Sequence, residues 1–525
     1  MDNVAKINLV APSASETRGA GWLSAINLSA RRLLVFVLLL SVFTMTAKPF
    51  IDPDFWWHLR TGQFILETRT IPHTDIFSFT AAGKEWVTHE WLTEIFMALL
   101  YRVSGWGGLI VAFSLIMTGA FWIAYRRCAR QAKHPYVAGA AVLLGAFASA
   151  PSWGVRPQMI SFLFASVYVW MLGEYARGER KRGLWWLVPL MLVWVNLHGG
   201  FALGLALIGL TGVGVVLDEA ARGAASVGRV WVRLRPLCVV FAGCVLAVPL
   251  NPNGLRMFMY PVETLSSKAM QAYIQEWFSP DFHQLMGQPF AALLFATFAA
   301  LALSPKRVRP GELLLLLFSG YLALRAWRNI PFFALIAMPL LAEHAWSWLT
   351  AQSWGRWLLR EEKRETGRKA VGKYVFNAMA LIVIPLAVCG ARVAHTAARQ
   401  PEVEVKEYPS AAVEFLRAHA QSEAQAGRQV GPIFNSYGWG GYLIWKLYPE
   451  QRVYIDGRAD VYGDNFMHEF VKAEDGHRDW RAPLERYGVQ TVIIAPNVPL
   501  VSFLRGDGAW RTAFEDRQAV VFVKQ

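Results

Sequence analysis

The sequence predicts a polytopic α-helical membrane protein of about eleven transmembrane helices, with a C-terminal extracytoplasmic α/β domain. Three observations predict it. The 525 residues are 54% hydrophobic and only 17% charged, whereas soluble chains carry roughly a quarter of their residues as charges. The apolar residues come in runs, and a helix of about twenty such residues crosses a bilayer core. Lys and Arg collect in short loops between those runs, which is the bias of cytoplasmic loops. The net charge of +14 therefore follows topology. The lipid bilayer is an expected partner and nucleic acid is not.

Residues 1–30 read as a cytosolic leader without a small-residue cleavage site, so no cleavable signal peptide is expected. The transmembrane domain covers 31–390, with spans at 33–45, 107–125, 136–150, 158–175, 184–197, 201–217, 237–250, 289–304, 311–324, 330–349 and 374–390. A large polar first outer loop, 48–106, separates the first two spans. Alternation from a cytosolic start puts every basic loop on the cytoplasmic side: 126–133, 177–182, 222–235, 306–309 and 356–373. The cysteines Cys128, Cys238, Cys244 and Cys389 lie in or beside apolar runs and form no CxxC pair, so neither a disulfide framework nor a zinc site is expected of them.

Residues 391–525 then fall on the outer face, and their pattern changes. Ala411–Ala420 reads as an amphipathic helix. Short apolar stretches at 432–434, 452–455, 491–494 and 519–523 read as strands, separated by helical patterns such as 463–473. That alternation predicts a small α/β domain, and about 130 residues suffice for its own core.

The same topology gathers a set of polar residues at one water–lipid boundary. Asp52, Asp54, His58, Arg60, His89, Glu90 and Glu94 come from the first outer loop. Arg156, Asn196, His198, Glu276, Arg325 and Arg328 come from later ones. Ionisable groups are costly near lipid unless they are paired or used. Arginines hold phosphates as bidentate partners, and a carboxylate takes a proton from an acceptor hydroxyl. Asp54 and His58 are four apart on an expected helix 54–66, as are Glu90 and Glu94 on an expected helix 89–101, so each pair shares a face. Two such carboxylates can share a metal or a proton. Structural readings stand beside these. Asp52 and Asp54 suit a helix N-cap and first turn. His58 and His198 suit backbone carbonyls, Trp56 and Trp57 suit interface anchors or packing, and Arg325 and Arg328 suit snorkelling to headgroups. Phe434–Tyr442 is glycine-rich between a strand and a helix, which suits either a tight turn or a phosphate. Asp456-Gly-Arg458 follows an expected strand, where α/β sites often form; an internal ion pair is the other reading.

A transmembrane helix followed by an outer loop that opens Asp52-Pro-Asp54-Phe-Trp-Trp-His58-Leu-Arg60 resembles the GT-C class of integral membrane glycosyltransferases. The stretch is similar to the first outer loop of oligosaccharyltransferase catalytic subunits, and protein O-mannosyltransferases and lipid A aminoarabinose transferases share the first-loop acid. Uncharacterised bacterial members of the class have pieces similar to Trp56-Trp57-His58-Leu59, His89-Glu90-Trp91-Leu92, Asn196-Leu-His198-Gly199, Arg328-Asn-Ile-Pro331 and Asp456-Gly-Arg458. The resemblance implies a polyprenyl-phosphate-linked sugar donor and a first-loop acid that is either general base or metal ligand. The chain departs from oligosaccharyltransferases in lacking their Trp-Trp-Asp motif: the nearest piece is Tyr437-Gly-Trp439-Gly-Gly-Tyr442.

The expected function is transfer of a sugar or glycan from that carrier to a glycan, lipid or protein acceptor on the outer face of a bacterial inner membrane. The N-terminus is expected in the cytoplasm and the C-terminal domain in the periplasm. Asp52, Asp54, His58, His89 and Glu90 are the candidate catalytic residues. Trp57, Arg60, Arg156, Asn196, His198, Arg325, Arg328, Asp456 and Arg458 are the candidate substrate-binding residues. A divalent metal, Mg or Mn, is an expected cofactor, with Asp52, Asp54 and Glu90 as candidate ligands. A transporter or flippase for lipid-linked glycans would need polar residues through the middle of several spans, and few are present. A non-catalytic scaffold would tolerate replacement of the first-loop acids.

Overall fold

The computed structural model describes residues 30–179, 182–223, 226–358, 371–427 and 430–525. The expected leader, but for Ala30, and most of the loop 356–373 lie outside them. Helix α1, Ala30–Thr46, stops just short of Pro49, which cannot continue a helix. Helix α2, Asp54–Thr68, begins with an acid in its first turn and ends at Arg69 in a left-handed conformation, φ 60°. Helix α3, Trp91–Ala132, is broken at Gly105, φ 57° and ψ −149°, a conformation essentially reserved for glycine. The break separates a first segment that carries Glu94 from the expected span at 107–125.

The bundle continues through α4 (Pro135–Ser149), α5 (Gln158–Ala176), α6 (Leu187–Leu197), α7 (Phe201–Ala221), α8 (Val227–Ala247), α9 (Arg256–Ser266), α10 (Gln288–Leu303), α11 (Pro310–Arg325), α12 (Ile330–Ala351) and α13 (Val371–Glu407). Each of the eleven expected spans centres on one of these helices. Among the described residues, eight helices are long and apolar enough to cross a membrane. The chain is a multi-pass helical membrane protein. Helix α12 is its hub, with every side chain from Ile330 to His344 buried against α3, α4, α10 and α11. The basic loops gather at one end of the bundle. There Arg177 meets Glu312 at 2.5 Å and Glu343 at 2.6 Å, Lys306 also pairs with Glu343, and Arg233 meets Glu219 at 2.7 Å.

Helix α13 corrects one expectation. It runs unbroken past 390 to Glu407, through Pro385 and Pro401. Beyond it come α14 (Ser410–Gln425), β1 (Ile433–Asn435), α15 (Gly440–Leu447), α16 (Asp464–Glu474), β2 (Thr491–Ile494), β3 (Trp510–Glu515) and β4 (Val520–Lys524). The sheet order is β1-β2-β4-β3. β1 and β2 are parallel, with Ile433 opposite Thr491; β2 and β4 are antiparallel, with Val492 opposite Phe522. The expected strand 452–455 does not join this sheet. Val453 pairs instead with the first outer loop, donating to Phe77 O at 3.1 Å and accepting from Phe79 N at 3.2 Å. β3 was not expected, because its mixed residues form a half-exposed edge.

The C-terminal unit sits on α2. Trp56 is fully buried, with the rings of Trp445, Tyr442, Tyr408 and Trp106 centred 4.7, 5.2, 5.3 and 5.9 Å from its own. Of its two structural readings, packing is the one the geometry favours. The glycine-rich stretch has a packing reason too. A side chain at Gly441 would lie 2.4 Å from Pro53 O, and one at Gly440 would lie 2.1 Å from Ile455 O.

Candidate active site

The first outer loop, the loops at 150–157, 198–200 and 274–278, and the C-terminal unit converge on one polar junction. The Asp-Pro-Asp turn enters it at the start of α2. Asp52 Oδ1 accepts the Asp54 N–H at 3.0 Å, a local side-chain turn just ahead of α2. Asp52 Oδ2 lies 2.8 Å from Arg156 Nε, and Arg156 also pairs with Glu276. Asp52 is thus committed on both oxygens. Asp54 is not. Its Oδ1 accepts from Trp57 Nε1 at 3.1 Å, and Gly457 of the C-terminal unit closes against the same oxygen. Burial first, then the neighbouring Asp52, push the Asp54 carboxyl well above its ordinary range, against the opposing pull of Arg156. Tyr437 donates to Gly457 O at 3.2 Å and lies within electrostatic reach of Asp54.

A second cluster lies one helical turn on. His58 Nδ1 is 3.2 Å from Glu90 Oε2 and 3.1 Å from Glu94 Oε1. Glu90 Oε1 in turn lies 3.1 Å from His89 Nε2 and 3.2 Å from His198 Nε2. Burial pushes His58 down to about 3 and His198 down to about 4. Burial would lower His89 as well, but the charge and hydrogen bond of Glu90, with Asp460 and the Val87 carbonyl, together outweigh it and His89 is raised. Glu90 is held below its usual range: burial alone would raise it, and the charges of His89, His58 and His198 overcome that. His198 Nδ1 receives the Gly200 N–H at 2.8 Å and faces Ser161 Oγ at 2.7 Å. The α6–α7 break at Gly199–Gly200 lets His89 and Ser161 approach this closely.

The remaining expected residues divide. Arg328 faces the junction with its guanidinium 4.7 Å over the Trp277 ring. It makes no ion pair among the described residues. Arg325 points outward and donates to Gln271 Oε1 at 3.0 Å. Arg60 turns away to Glu67, at 3.1 Å. Trp57 is spent on Asp54. Asn196 is spent on the backbone and on Trp91, whose Nε1 donates to it at 3.0 Å. Asp456 and Arg458, at 0% and 2% exposure, form a closed pair at 2.6 Å, with Asp75 as a third member. Of the two readings of Asp456-Gly-Arg458, the geometry favours the internal ion pair.

The metal ligands expected at Asp52, Asp54 and Glu90 are not brought together, since Arg156 occupies Asp52. Among the described residues, the group of carboxylate and imidazole atoms close enough to hold one ion is His58, Glu90 and Glu94, all within 4.8 Å of one another. Ser161, Tyr260 and Trp277 belong to the junction and carried no signal in the sequence. Tyr437 was visible only as part of the glycine-rich stretch.

No protein-family model matches the chain, and no curated protein matches it. Solved structures do. An archaeal oligosaccharyltransferase, AglB from Archaeoglobus fulgidus, in complex with an inhibitory peptide and a dolichol-phosphate, aligns over 91% of this chain and 70% of its own, at 10% identity and a TM-score of 0.54. An Archaeoglobus fulgidus oligosaccharyltransferase in the apo form aligns over 88% and 69%, at 12% identity and a TM-score of 0.51. ArnT from Cupriavidus metallidurans bound to undecaprenyl phosphate aligns over 96% and 98%, at 15% identity and a TM-score of 0.45. The chain has a fold of the GT-C type.

Proposed function

We propose that this chain is a membrane glycosyltransferase that moves a sugar or glycan from a polyprenyl-phosphate-linked donor to an acceptor at the membrane surface. The observation that carries the reading is the first-loop acid. Asp54 stands at the mouth of α2 beneath the C-terminal unit, with one oxygen accepting from Trp57, in a chain folded like a transferase that binds dolichol-phosphate. Asp54 takes the proton of the acceptor hydroxyl. The hydroxyl oxygen bonds to the anomeric carbon as the bond from that carbon to the carrier phosphate breaks, through an oxocarbenium-like centre. Arg328 receives the departing phosphate, and the stacking on Trp277 fixes its plane. Arg156 and Asp52 position the turn from which Asp54 projects. The distribution of basic loops supports a junction and C-terminal unit that face the periplasm of a bacterial inner membrane.

The test is complementation of a deletion strain with Asp54→Asn and Asp52→Asn, scoring surface glycans by mass spectrometry and membrane levels by immunoblot. Asp54→Asn is expected to abolish one glycan at normal protein level, and Asp52→Asn to reduce it. Full restoration by Asp54→Asn would leave a scaffold or transporter as the better reading.

A further inference from the structure

We infer that His58, Glu90 and Glu94 bind one divalent first-row transition ion. The inference goes beyond the transferase reading and stands whether or not the chain moves a sugar.

His58 presents one nitrogen to two acids. His58 Nδ1 lies 3.2 Å from one carboxylate and 3.1 Å from the other, yet a ring nitrogen carries at most one hydrogen. It can satisfy one acid and leaves the second facing it unbonded. Two buried carboxylates converging on one point also repel each other. Glu94 Oε2 is enclosed and has no hydrogen-bond partner, in a residue only 1% exposed. Unpaired buried oxygens of this kind are rare because each costs the desolvation of a charged group. A divalent cation among the three side chains relieves the first two conflicts and gives the buried Glu94 carboxylate a counter-charge. A tetrahedral ion with bonds of about 2.1 Å separates neighbouring donors by about 3.4 Å, close to the two distances seen.

The surroundings are arranged as a second layer around such an ion. Trp194 Nε1 donates to Ser161 Oγ at 2.7 Å, so the Ser161 hydroxyl hydrogen goes to His198 Nδ1. The Gly200 N–H goes there too. The His198 proton therefore sits on Nε2, aimed at Glu90 Oε1. His89 Nδ1 is fixed by Val87 O at 3.0 Å, and its Nε2 meets that same Glu90 oxygen. Two imidazoles thus hold Oε1 and leave Oε2 to turn toward His58. Partners of this kind orient metal-bound carboxylates. The helices also approach closely: a side chain at Gly62 would meet Glu94 O at 1.9 Å, so the glycine allows α2 and α3 the spacing that brings the three side chains together.

The donor set names the metal class. One imidazole with two carboxylates suits Zn²⁺, Mn²⁺ or Fe²⁺, whereas Mg²⁺ and Ca²⁺ prefer all-oxygen shells. Three protein ligands leave a fourth position open, as in zinc sites that take water or substrate.

The experiment uses the full-length protein in detergent, stripped with chelator, desalted, and titrated separately with Zn²⁺, Mn²⁺, Co²⁺ and Mg²⁺. Bound metal is read by mass spectrometry and the Co²⁺ form by its visible absorption. Wild type is expected to retain about one Zn²⁺ per chain against excess Mg²⁺. Glu94→Gln is expected to weaken binding at least about tenfold while it elutes as wild type and melts like the metal-free wild type. Asp54→Asn is expected to bind as wild type does. Failure of wild type to retain Zn²⁺, equal competition by Mg²⁺, or unchanged affinity in Glu94→Gln would each overturn the site. Loss of binding in Asp54→Asn would move the ion to the first-loop acids and overturn it too. Transfer lost in Asp54→Asn with metal retained separates the fate of this inference from that of the transferase reading.

Discussion

Arg458 Nη2 lies 2.7 Å from Asp75 Oδ1, and through this contact the C-terminal unit grips the first outer loop. The same guanidinium holds Asp456 through Nε at 2.7 Å and Nη2 at 2.6 Å. Trp86 and Phe77 cover it at 4.4 and 5.1 Å, so the charges work in a dry place. Removing one partner there strands the others, which costs about 3–5 kcal/mol. Arg458→Ala is therefore expected to lower the melting temperature in detergent markedly and to speed proteolysis of the 69–90 loop. Asp75→Asn, which keeps the shape and loses the charge, is expected to fall between. An Arg458→Ala protein that melts like wild type would show that the grip is dispensable.

Gly457 separates the fold from the chemistry. A side chain there would reach within 1.7 Å of Asp54 Oδ1 and 3.2 Å of Trp57 Nε1. Both are the ends of side chains, so the backbone need not move, but the Asp54 carboxylate must. Gly457→Ala is expected to reduce transfer at least tenfold while changing the melting temperature by only a degree or so, within the range of about 0.5 kcal/mol typical of tolerated substitutions. Unaltered transfer would mean that the position of Asp54 under the C-terminal unit does not matter.

The Asp54 carboxyl is raised by burial and by Asp52, with Glu276 adding to the rise and Arg156 and the Trp57 N–H opposing it. Tyr437 and Tyr408 also lie within electrostatic reach of the Asp54 carboxyl. Its folded pKa lies above the ordinary value of about 3.9. The stability it contributes is therefore present below that value and lost as pH rises through the folded pKa. Catalysis has the opposite need, because a base must be ionised. The ascending limb of kcat/KM against pH is expected well above pH 4, about the ordinary carboxylate range. Asp52→Asn removes the charge that raises Asp54 and should move the limb to lower pH. A limb that stays in place would rule Asp54 out as the base.

The sequence disclosed the bundle because hydropathy and basic loops report on each segment separately. It disclosed the crowding of acids and imidazoles at one end for the same reason. The four-residue spacing of Glu90 and Glu94 marked a pair. That both would meet His58 depends on the packing of α2 against α3 at Gly62, which no local pattern encodes. Arg458 misled in the same way. A charged turn after an apolar stretch reads as a site, and only the arrival of Asp75 from the first outer loop makes it a buried bridge. The stretch 452–455 reads as a strand for its own residues, but its partner is Phe77–Phe79 and not the sheet. Helix α13 passes 390 and carries Pro385 and Pro401 within it without ending at either.

Two arginines with the same sequence appearance should behave differently. Arg156 is bound between Asp52 and Glu276, so Arg156→Ala leaves two half-buried acids beside Asp54 and should destabilise the protein as well as disable it. Arg328 stacks on Trp277 and makes no ion pair among the described residues, so Arg328→Ala takes only that stack from the fold. If it holds the carrier phosphate, its loss should raise KM for the lipid-linked donor about tenfold or more, near 1.4 kcal/mol, and leave the melting temperature almost unchanged. Arg328→Lys keeps the charge but not the planar stack, and should recover only part of the loss. Steady-state kinetics with a short-chain polyprenyl-phosphate sugar would read both. An unchanged donor KM in Arg328→Ala would return the phosphate to Arg325 or to the neighbours of Arg156.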